Sequence, residues 1–78
     1  MMEKKYVDIY HFQVLDAVQN GNRVYMLDKY EQDVCCVNRM SVGDVTEILA
    51  MCEANEGTPE ERRFLFWYVK EETENESV

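Results

Sequence analysis

The residues that could do chemistry are three cysteines, Cys35, Cys36 and Cys52, one histidine, His11, and sixteen carboxylates. Thiolate and imidazole are the preferred ligands of tetrahedral zinc, but structural zinc sites draw them in pairs typically about two to four residues apart. Cys35 and Cys36 are adjacent, and Cys52 falls on the apolar side of a predicted helix. Small buried hydrophobes are the expected role of these thiols, with no metal and no cofactor. His11 also sits on a predicted apolar arc, where a hydrogen-bonded histidine is commoner than a titrating switch. Nucleophilic catalysis would need a cysteine beside that imidazole plus oxyanion donors, and no local signature marks such a site. G-x-G-x-x-G, P-loop, H-E-x-x-H and G-x-S-x-G patterns do not occur. Acid–base work by a carboxylate pair needs a cleft that separates their pKa values, and a short chain leaves little room for one. The expectation is a protein that is not an enzyme.

The carboxylates could instead act as a surface. Asp44, Glu47, Glu53 and Glu56 line the polar side and end of a predicted helix, and Glu60, Glu61, Glu71 and Glu72 follow. Rows of carboxylates can imitate a phosphate backbone and occupy the basic groove of a nuclease or DNA-binding protein. A solvated, solubilising surface is the plainer reading of the same residues. Sixteen acids against eight bases give a net charge of −8. That balance disfavours direct binding to nucleic acid or an anionic membrane and favours protein partners with basic surfaces. Residues 1–40 hold six acids and five bases, whereas 41–78 hold ten acids and three bases, so the excess belongs to the second half.

The elements that must position these groups come from a single small domain. At 78 residues, 46% apolar and with nine aromatic side chains, the chain can form a core, though a small one. No apolar run is long enough for a signal peptide or a membrane span, and an odd number of cysteines suits a reducing compartment, so a cytoplasmic location is expected. The pattern of Tyr10, His11, Val14, Leu15 and Val18 predicts a helix over 9–20, capped by Asp8 and closed by Gly21. Segments 23–28 and 33–38 are rich in β-branched and aromatic residues and flank the polar stretch 29–32, which predicts a hairpin. Ser41 with Asp44 forms an acidic variant of the capping box, and Val42, Val45, Ile48, Leu49 and Cys52 share an arc, which predicts a second helix over 42–55 ending before Gly57. Thr58-Pro-Glu-Glu61 reads as a helix start and the aromatic-rich apolar run 64–69 as a central strand, so one helical turn followed by that strand is favoured, with a helix over 62–70 as the alternative. The predicted fold is thus α+β, in the order α-β-β-α-β, with a three-stranded antiparallel sheet packed by two helices over residues 1–70. An acidic disordered tail is expected over 71–78.

The predicted strands are apolar on both faces. If both helices pack on one side, the other side presents aromatic and aliphatic side chains to water and meets a partner. Helices on opposite sides, or a sheet twisted enough for loops and the tail to cover the remainder, would remove that surface. Trp67, Tyr68, Tyr25 and Leu27 are the candidate contact residues, with Asp44, Glu47, Glu53 and Glu56 as candidates for steering.

In length, acidity and lack of motifs the chain is similar to small accessory proteins of phages and mobile elements, a likeness of composition only. The expected function is a non-catalytic module that occupies a partner's surface. A nucleic-acid mimic that inhibits a nuclease or DNA-binding protein, and a structural homodimer or assembly subunit, are the two alternatives.

Overall fold

A computed structural model of the chain describes residues 3–72, in the order β-α-β-β-α-β. Strand β1 (Glu3–Ile9) leads through a 3-10 turn at His11–Gln13 into the short helix α1 (Val14–Gln19). Strands β2 (Arg23–Asp28) and β3 (Asp33–Cys36) form the hairpin. Helix α2 (Val42–Ala54) follows, and a 3-10 turn at Pro59–Arg63 delivers the chain into β4 (Phe64–Glu72). The fold is α+β, but the sheet has four strands in the order β1-β4-β2-β3, all neighbours antiparallel.

The added strand is β1, and it displaces part of the predicted first helix. Asp8 does not cap a helix; it lies in β1 opposite Trp67 of β4. Only 14–19 is α-helical, and Val14 and Ala17 are the residues it buries. Tyr10 and Leu15, expected on the inner arc, are 67% and 53% exposed. The 3-10 turn is wound more tightly than an α-helix, so an arc drawn at α-helical spacing across 10–18 mixes two registers. β1 lies at an edge of the sheet, where charged residues such as Lys5 discourage further strand pairing.

The other elements follow their local chemistry. Ser41 Oγ accepts a hydrogen bond from the Asp44 backbone N–H at 3.1 Å and caps α2. Gly57, at φ +82°, supplies the left-handed residue just beyond that helix. Asp28 Oδ1 accepts from the Tyr30 backbone N–H at 2.9 Å and shapes the hairpin turn as an Asx turn. β3 stops at Cys36, two residues short of the expected end. Beyond it the Asn38 side chain carries on the pairing: its Oδ1 accepts from the Val24 N–H at 2.8 Å, and its Nδ2 donates to the Asn22 carbonyl at 3.0 Å. β4 is central, as expected of a run apolar on both faces, and it continues through Glu72, two residues into the segment read as a tail. The remainder of that predicted tail lies outside the described residues.

One cluster forms the core. Val14 and Ala17 of α1 and Val45 and Cys52 of α2 meet Val24, Met26, Phe64 and Phe66 of the sheet, with Val37 beneath the hairpin's exit. Alternation along each strand places those four sheet residues on one face. Both helices therefore cover the same side. Val42, expected on the inner arc of α2, is 83% exposed at its first turn. Among the described residues no helix is long and apolar enough to cross a membrane.

Candidate docking face

Opposite the helices, the sheet presents a grid of side chains whose rows follow from the strand register. Tyr6, Val69 and Arg23 form one row, and Asp8, Trp67, Tyr25 and Cys36 the next. Leu65, Leu27 and Val34 form the third. Tyr6 is 67% exposed, Val34 54% and Leu65 41%, while Trp67, Tyr25, Leu27 and Val69 are half-buried. Tyr25 and Trp67 are direct cross-strand partners, and their rings stack with centroids 6.0 Å apart. The two large aromatics thus shield each other in part while their outer surfaces stay open. A shallow depression of about 590 Å³ lies here, and Tyr6, Arg23, Tyr25, Val34, Trp67 and Lys70 are among the residues that line it. Its lining contains no histidine, cysteine or carboxylate.

Three of the four predicted contact residues, Trp67, Tyr25 and Leu27, lie on this face. Tyr68 does not: it follows Trp67 in a strand, points to the helix side and packs half-buried against the core. Tyr6, Val34 and Leu65 were not singled out from sequence. Tyr6 belongs to β1, a strand that no expectation placed in the sheet, and Val34 and Leu65 gain meaning only from their cross-strand neighbours.

The candidate steering residues are elsewhere. Asp44, Glu47 and Glu53 are exposed on α2, on the opposite side of the sheet. At about 100° per residue, Asp44 and Glu53 are turned about 180° from each other around the helix, one on each flank of the buried stripe. They do not form a row. Glu56, beyond the helix end, is engaged locally, with Oε1 3.2 Å from His11 Nε2. That contact fastens the turn before α1 to the end of α2 and accounts for the largely buried histidine. Burial, reinforced by neighbouring carboxylates, pushes the Cys35 and Cys52 thiols above the ordinary thiol range. Among the described residues no three histidine, cysteine or acidic side chains gather as a metal site.

A second polar feature ties the hairpin to β4. Arg63 donates from Nε and Nη2 to the two carboxylate oxygens of Asp28, both at 3.2 Å. Its guanidinium also lies over the rings of Tyr30 (4.6 Å) and Phe64 (4.8 Å). The Arg63 hydrogen bonds hold the Asp28 carboxyl below the usual carboxylate range, outweighing desolvation, which acts the other way. Tyr30 Oη in turn donates to Glu60, which pushes the phenol above its ordinary value. These contacts lock the turn that precedes β4 against the hairpin.

Compared with protein-family models, curated proteins and solved structures, the chain has no significant match in any of the three.

Proposed function

We propose that this chain is a non-catalytic protein-interaction domain that docks through the helix-free face of its sheet. One observation carries the reading: both helices and the buried core lie on one side, and among the described residues no helix lies over Tyr6, Tyr25, Leu27, Val34, Leu65 and Trp67. Contiguous apolar faces of this kind on small domains mark interaction sites, and tryptophan and tyrosine are the side chains that most often dominate their energetics. The carboxylates of α2 lie on the other side of the sheet and take no part in the contact itself. The nucleic-acid-mimic reading asks those carboxylates to follow a backbone, and the opposed placement of Asp44 and Glu53 gives it no support.

Capture experiments on the native cell test the proposal by comparing the natural chain with Trp67→Ala and with an Asp44→Asn, Glu47→Gln, Glu53→Gln variant. Loss of a specific captured protein with Trp67→Ala, at unchanged circular dichroism, is the expected result. Loss with the carboxylate variant alone would reverse the assignment and move recognition to α2.

A further inference from the structure

Resting on that reading of the face, we infer that its occupant is a second copy of this chain, packed sheet against sheet. Charge points to this occupant. The ten side chains of the three rows include one acid, Asp8, and one base, Arg23, and Lys70 also lines the depression, so the face has no excess of acid in a chain that carries −8. A strongly basic partner would bury cations there against apolar side chains and a single carboxylate, at a desolvation cost that little offsets. An apolar, neutral, sheet-shaped surface is what this face fits, and a second copy supplies one of equal width. Packed about 10 Å apart, the two sheets would cover each other's Trp67 and Tyr25, and a two-fold axis makes the contact isologous. The acidic helices would then lie on the two outer surfaces. Four layers place them on the order of 30 Å apart, several Debye lengths at physiological salt.

This arrangement has a signature that a basic partner cannot share. Two chains of like charge repel at long range, so added salt strengthens their association; binding to a basic partner weakens with salt.

Because Trp67 is the sole tryptophan, its fluorescence reports the contact directly. Sedimentation and emission spectra of the full chain would be recorded from about 1 μM to about 500 μM, a range that spans weak to moderate dimer affinities, at low and high salt. The expected result is a shift from 9.3 kDa towards twice that mass, with a blue shift of Trp67, both at lower concentration in high salt. Val34→Lys, at a position already 54% exposed, should weaken the dimer at least about tenfold with the fold intact. Tyr6→Lys is the second such variant, on the opposite edge of the sheet. A monomer at every concentration in both salts overturns the inference, as does a dimer that both lysine variants leave unchanged. If the chain is monomeric but Val34→Lys loses a captured protein, the docking face stands and only the self-association falls. If it is monomeric and both variants retain every captured protein, both readings fall.

Discussion

The two faces of β4 carry nearly the same residue classes and meet opposite fates. Phe64, Phe66 and Tyr68 turn towards the helices, where the two phenylalanines are 8% and 5% exposed. Leu65, Trp67 and Val69 turn the other way, where no helix lies over them among the described residues. Burial of the first set is secured by α1 and α2, elements that the chain itself supplies. For the second set the chain has no further helix among its described residues. Hydrophobicity alone therefore does not mark a residue as core; a covering layer is also needed, and this fold has one layer for two apolar faces.

The largest contrast is expected from a pair of adjacent substitutions. Phe66→Ala should cost about 3–5 kcal/mol in urea unfolding, a large share of the roughly 4–12 kcal/mol available to a domain of this length. Trp67→Ala, next to it, should cost about 1–2 kcal/mol in the monomer, since only part of its ring is sheltered. Equal losses at the two positions would mean that the faces are equally covered, and the docking argument would collapse. Next in size is Ser41→Ala, which removes the cap that starts α2 over the covered face. About 1 kcal/mol should be lost, and Ser41→Asp should restore most of it.

A smaller effect tests the ion pair at the rim of the covered face. The Asp28 carboxyl is held low by Arg63, so its contribution to stability is fully present above its unfolded pKa, near about 4, and disappears as pH falls through the lower folded value. Asp28→Asn should lower the urea midpoint at pH 7, and the gap from the natural chain should close in acid. A gap that persists unchanged at pH 2 would assign the loss to packing in place of the charge. Smallest of all, Val34→Lys should leave monomer stability within about 0.5 kcal/mol, because the open face asks nothing of that side chain in the folded monomer. A loss of several kcal/mol there would show that the face is sheltered after all.

Much of the fold was legible because its signals are local. The cap of α2 needs only Ser41 and the N–H three residues on, its end needs only Gly57, and the hairpin is announced by two apolar runs around a polar turn. β1 was not legible, since Glu3-Lys-Lys-Tyr-Val-Asp-Ile9 has weak strand character of its own and is held extended by pairing with a segment some sixty residues away, from Ile9 opposite Phe66 to Glu3 opposite Glu72. The candidate face was half legible for the same reason. Trp67, Tyr25 and Leu27 announced themselves by type, but grouping them with Tyr6, Val34 and Leu65 takes the register of four strands.

Sequence alone determined that the strands are apolar on both faces and that two helices accompany them; it left open whether those helices share a side, and it grouped Trp67 with Tyr68, which the alternation of the strand separates. Which of the two faces water was decided only in three dimensions. Period-two alternation separates the residues into two sets but does not label them inside and outside; that label comes from the side on which α1 and α2 land, a long-range packing choice that no local spacing encodes.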